Sequence, residues 1–212
     1  YNVGDHNAYT KLALGWSRPY VVTGDSTITI NTASMTGHSI LIRDPKKPWE
    51  GSAFDEYLLL ELITPTGLWK QDMTKGYAGI GSKYTEPGVR MLKVDARLLS
   101  QNNKITRNTR GNSLYMHAFS NTPSSSLYEG SISYRYDLLS LIAADKTRNH
   151  LVANGSADNE CLFKTGDRFT MSDYSQFFKN NKLNDSSTIP YEIDFDLVDS
   201  EKAVIRFNYL GD

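Results

Sequence analysis

"FDEYLLLELIT", Phe54 to Thr64, decides how the rest of the 212-residue chain is read. Its leucines favour helix, and a run this short carries no decisive period. The breakers on either side, "PWEGS" and "TPTGLW", point to a strand. A partner run, "VRMLKVD" from Val89 to Asp95, supports that reading, although Val89, Met91 and Val94 do not alternate perfectly. A strand here implies a sheet, and the chain then reads as mainly β.

On the N-terminal side, Tyr20–Thr23, Thr27–Asn31 and Ser39–Arg43 are short β-branched runs separated by the turns "TGDS" and "ASMTGH", which predicts an antiparallel meander. Near the end, "YEIDFDLVD" puts Tyr191, Ile193, Phe195 and Leu197 on one face. "AVIRFNY" does the same for Ala203, Ile205 and Phe207, so the two runs predict a hairpin closing a sandwich. Arg168–Met171 is a further strand, followed by a short helical turn over Ser172–Phe178. "YDLLSLIAAD", Tyr136 to Asp145, has apolar residues at 138, 139, 141 and 142 and is expected to be a helix. Lys70–Gly88, rich in glycine, is expected to be a long surface loop. The polar stretch around residues 99–126 is an excursion or a linker, with "LYMHAF" (Leu114–Phe119) as its strand candidate.

The N-terminal stretch has a different period. Asp5 is placed to cap a helix whose apolar stripe is Tyr9, Leu12, Ala13 and Trp16, ended by Gly15 and Pro19. The expected fold is therefore an antiparallel β-sandwich-like region with an N-terminal helix and one or two short helices. Residues 1–19 form a helical seam and residues 20–212 a β-rich domain.

A net charge of −1 with 22% charged residues argues against a nucleic-acid surface, which needs clustered Lys and Arg. The longest apolar run, Tyr57 to Ile63, is interrupted by Glu61 and is far shorter than a membrane span. The single cysteine, Cys161, precludes an internal disulfide and reads as a packed bystander. His6, His38, His117 and His150 show no i, i+4 spacing and no HExxH. "GDS" at Gly24–Ser26 is a turn rather than a nucleophile elbow, and "GYAGIGSK" at Gly76–Lys83 lacks phosphate-loop spacing. No metal ligand is assigned.

Among the acids, Asp55 and Glu56 point to opposite faces of a strand and cannot act as a catalytic pair. Glu61, inside an apolar run, needs a partner; Arg90 or Arg97 as an ion pair outweighs catalysis. Asp95 either fixes a strand end through backbone hydrogen bonds or contributes to a metal site. Asp194, Asp196 and Asp199 read as a solvated strand face. Trp49 and Trp69 lie in Pro- and Gly-containing loops, where they would stack on sugar rings or plug the core. Asn154 and Asn184 begin glycosylation-type triplets, a pattern common by chance.

"DHNAYTKLALGWSRPYVV" resembles the segment after the zinc site in secreted metallopeptidases of the immune inhibitor A type. Asp5, Lys11, Leu14, Gly15, Trp16 and Pro19 match its D…K…LGW…P pattern. The likeness continues in order through "SILI", "EYLLLE" ending at Glu61, and "MLKVDARL" containing Asp95, and more loosely through "YDLL" and "FKTGDRF…YSQFF". Lys93 stands where that family has His, and an ammonium is a poor zinc ligand.

The resemblance implies a bacterial, extracellular or cell-surface parent that hydrolyses proteins, with zinc held in an upstream catalytic domain. On that expectation the chain, which opens on Tyr1 without an initiator Met, is an inert piece cut from something longer. It would buttress the upstream domain, and Lys70–Gly88 would line the substrate cleft. The alternative expectation is an extracellular β-sandwich module binding glycan or protein through exposed aromatics.

Overall fold

The computed structural model describes residues 4–76, 84–97, 138–147 and 157–211. Among these described residues, nine strands form two sheets, joined by loops and short helices. The first sheet contains β1 (Tyr20–Val21), β3 (Ile40–Ile42), β4 (Glu56–Ile63), β5 (Gly88–Asp95) and β6 (Leu139–Ile142), in the order β1-β3-β4-β5-β6. The second contains β2 (Ser26–Asn31), β7 (Arg168–Phe169), β8 (Tyr191–Val198) and β9 (Lys202–Tyr209), in the order β2-β9-β8-β7.

β4 is the central strand of the first sheet, and all eight of its residues are buried. Its two faces supply two cores, which is why its sequence is apolar without clean alternation. Leu58, Leu60 and Leu62 join Ile30, Met91, Phe163, Phe195 and Phe207 in the core shared by the two sheets. Tyr57 and Leu59 join Leu92 and Val94 on the opposite face, where Ala8, Tyr9 and Leu12 of α1 (Ala8–Ala13) cover them. Phe163 and Phe195 stack at 4.6 Å in the shared core. The β8–β9 hairpin has the expected inward face at Tyr191, Ile193 and Phe195 against Ala203, Ile205 and Phe207, but a register shift between Phe195 and Leu197 puts Val198 rather than Leu197 against the shared core.

Several expectations are corrected. The first three strands are not an antiparallel meander: β1 pairs parallel with β3, while β2 crosses to the other sheet and pairs antiparallel with β9. Strand propensity says that a run is extended, not which partner it finds. The segment expected as a helix near 136–145 contains β6 instead, paired antiparallel with β5. Ser140 and Ile142 are its buried positions, while Leu139 and Leu141 pack on the α1-side core. Apolar residues on both faces of a strand imitate a helical doublet. The Lys70–Gly88 stretch opens with a helical turn, α3 (Lys70–Thr74), rather than running as loop throughout. Leu114–Phe119, most of the polar stretch, and Asn154 lie outside the described residues.

α1 is shorter than its stripe suggested. Asn7, not Asp5, is the N-cap, and its side chain accepts from the Thr10 amide at 2.8 Å. Gly15, with φ +72°, follows the end of the helix as expected. Trp16 therefore lies beyond the last helical turn, where the 3.6-residue period no longer directs it inward. It is 62% exposed and Leu14 54% exposed, whereas Tyr9 and Leu12 are buried.

Candidate functional site

Two charged networks and one groove hold the residues singled out above. The first network ties α1 to the sheet. Glu61 is on the face of β4 that also carries Tyr57 and Leu59, and its side chain is sealed from solvent. Arg90 is its register partner on β5, so the two side chains meet on the same face. Arg90 donates to Glu61 Oε1 through Nε at 3.0 Å and Nη2 at 2.6 Å, while the Ala8 amide donates to Oε2 at 3.1 Å. Burial opposes the Arg90 charge, but the Glu61 carboxylate and the Tyr84 hydroxyl hold its pKa above the ordinary value. Trp69 lies against the same guanidinium at 5.1 Å. Trp69 is thus half-buried packing beneath an arginine, not an open stacking platform.

Next to it, the Lys11 ammonium donates to Asp5 Oδ2 at 2.5 Å and to the Ala33 carbonyl at 2.8 Å. That second bond reaches α2 (Ala33–Thr36) and fixes the helical corner of the fold. Pro19 is buried just before β1. Leu14 and Trp16 remain outside, as do Met35 of α2 and Leu68, and the Trp16 ring meets His6 edge-on at 5.3 Å. The segments meet closely at two glycines: a Cβ at Gly37 would lie 3.1 Å from Ser17 Cβ, and one at Gly67 would lie 2.8 Å from Met35 Sδ.

The second network lies at the other end of β4. Glu56 shares the alternation of Leu58, Leu60 and Leu62, so its carboxylate points between the sheets. Its oxygens accept the amides of Asn184 and Asp185, each at 2.7 Å. Arg97 Nε lies 3.4 Å from Glu56 Oε2. Burial first, and then the neighbouring Asp95 charge, push the Glu56 carboxyl up to about 7.

Asp95 behaves differently from its expected role of bonding backbone amides at a strand end. It is fully buried, accepts a two-pronged contact from Arg97 at 2.7 and 2.9 Å, and takes the Asn184 side-chain amide at 2.9 Å. The nitrogen of the Asn184 triplet is therefore engaged in this network. Asp55 turns away to Arg43, as the opposite-face argument anticipated, and Arg43 also reaches Asp185 at 3.4 Å. Burial pushes Asp55 up, partly offset by the Glu56 amide and Arg43. Burial also opposes ionisation of Asp185, but bonds from Ser187, with Lys47 and Arg43, keep its pKa below the ordinary value.

The groove is lined by Val21, Val22, Arg43, Pro45, Pro48 and Trp49, among others, and encloses about 160 Å³. Trp49 is half-buried, donates to the Ser52 carbonyl at 2.5 Å and packs on the α1-side core. Asp194, expected on a solvated face, is buried instead. It accepts from Arg168 at 2.7 Å and Asn208 at 3.0 Å, because the neighbouring strands carry donors that enclose it.

No family model, curated protein or solved structure matches the chain. Among the described residues, no group of three or more His, Cys, Asp or Glu side chains is placed to hold a metal ion, and no helix is long and apolar enough to cross a membrane. Sequence reasoning weighed Glu56 only as a catalytic partner of Asp55 and passed over Arg43. Glu56 had a readable signal in its even spacing from Leu58, Leu60 and Leu62. Arg43 had none for its link to the loop, since its second acid, Asp185, is 142 positions away.

Proposed function

We propose that the chain is the non-catalytic, β-rich C-terminal part of a secreted bacterial zinc metallopeptidase of the immune inhibitor A type, and that it buttresses the catalytic domain upstream. One observation carries this reading. Lys11 and Glu61, two positions of the resemblance, tie α1 to α2 and to the sheet, with Asp5 holding the Lys11 ammonium, while Leu14 and Trp16 of the same stretch stay exposed. A locked helix with an apolar outer edge suits a joint that must hold a neighbouring domain in a fixed orientation. Zinc and its activated water belong to the upstream part, which would supply the hydrolytic chemistry.

The encoding gene provides the first test: HExxH should lie upstream, and a secretion signal joined directly to Tyr1 would refute the proposal. In the longer protein, Leu14→Glu with Trp16→Glu should lower protease activity and the melting temperature of the upstream domain. The same pair in the isolated chain should leave its own melting temperature within about 2 °C, because both side chains are exposed.

A second reading, a glycan- or protein-binding module, is favoured only by the groove beside Trp49. Trp49→Ala should then abolish binding in a glycan screen, and an unchanged profile would count against it.

A further inference from the structure

Loop 183–187 enters the second sheet just before β8, and it is pinned to the first sheet by Glu56. The turn is closed on itself by Leu183 N–H to the Ser187 carbonyl at 2.9 Å and Ser186 N–H to the Leu183 carbonyl at 3.1 Å. Leu183 is buried in the shared core, so the turn cannot lift without exposing apolar surface and the carboxylate beneath it. Facing Glu56 from β5 and its end are Lys93, Asp95 and Arg97; from the loop come Asn184 and Asp185; behind these stand Asp55, Arg43 and Lys47. The four carboxylates are matched by four cations only when all are charged, and the Glu56 charge is among the most deeply buried.

We propose that Glu56 makes loop 183–187 a proton-sensitive latch between the two sheets, held more firmly in mildly acid than in mildly alkaline solution. When the loop is closed, the carboxyl is out of water and is the register partner of Asp95, and these two influences, which favour its protonated form, outweigh the loop amides, Arg97 and Lys93, which favour the charged one. When the loop lifts, water reaches Glu56 and its pKa falls toward the ordinary carboxyl range, because the solvation gained outweighs the loss of the two amide bonds that favour its charged form. The closed state then binds more protons than the open one between that range and about 7, so rising pH favours opening. The latch is independent of the peptidase reading, since it concerns the sandwich alone.

Linkage between an ordinary carboxyl and one near 7 makes the opening constant about 30-fold larger at about pH 8 than at about pH 5.5. Amide hydrogen exchange of Asn184 and Asp185 in the intact chain, corrected for intrinsic rates, should show a loss of protection approaching that factor. Glu56→Gln should reduce the change to under about 3-fold. If that variant does not fold, the side-chain carboxyl carbon of Glu56 can be followed by NMR in the unaltered protein, where a midpoint near neutrality is expected. A midpoint in the ordinary carboxyl range, pH-independent protection in the unaltered chain, or full pH dependence in Glu56→Gln would overturn the latch.

Discussion

Replacing Arg90 by Met removes a guanidinium while keeping most of its apolar stem, so the perturbation isolates the charge. Glu61 would lose both arginine bonds, at 3.0 and 2.6 Å, and keep only the Ala8 amide at 3.1 Å. Its side chain has no solvent exposure, so water cannot take over. A carboxylate left buried and unpaired should cost about 3–5 kcal/mol. For a chain of this length that corresponds to a fall of roughly 6–20 °C in melting temperature. Glu61→Gln, which keeps an acceptor for Ala8 and leaves Arg90 with Tyr84 and Trp69, should cost only about 1–3 kcal/mol. The double variant should also lose only about 1–3 kcal/mol, well short of the sum of the single losses, because the charge and its partner disappear together. Urea unfolding at constant m-value measures all three. A loss below about 1 kcal/mol for Arg90→Met, or strict additivity in the double variant, would refute the assignment of Glu61 and Arg90 as one buried unit.

Three further outcomes test the packing. Gly88→Ala should destabilise by about 1–3 kcal/mol in the same assay, because the new Cβ would sit 2.5 Å from Leu162 Cβ where β5 meets the Phe163 bridge. Phe163→Ala, which removes the ring stacked on Phe195 in the shared core, should cost about 3–5 kcal/mol. Cys161, buried, with burial pushing its thiol up to about 11, should resist iodoacetamide at about pH 8 in the native protein and react readily in urea; rapid native alkylation would contradict its placement.

Two strand pairs were legible from sequence because their apolar residues also set their orientation. β8 and β9 alternate, so one face could only be buried; β4, flanked by breakers and matched by β5, could be a strand despite its leucines. The ion pair of Glu61 was equally legible, since an acid within an apolar run must find a cation and Arg90 was one of two candidates. Local order also explains where expectation and fold part. β6 carries apolar residues on both faces because both faces of its sheet are covered, and no local pattern distinguishes that from a helix stripe. Trp16 has the spacing of a stripe whose helix has already ended at Ala13.

The order of residues along the chain is enough to set the class of this protein: extended segments, short helices, and buried acids that demand partners. It takes the folded chain to lay β1 parallel to β3, to send β2 across to the second sheet, and to close Asn184 and Asp185 over Glu56. The physical reason is range. Backbone propensity and apolar period act within a few residues, whereas Glu56 takes its amide bonds, and Arg43 the second of its acids, from a loop more than 120 positions away, which only tertiary packing brings within hydrogen-bonding distance.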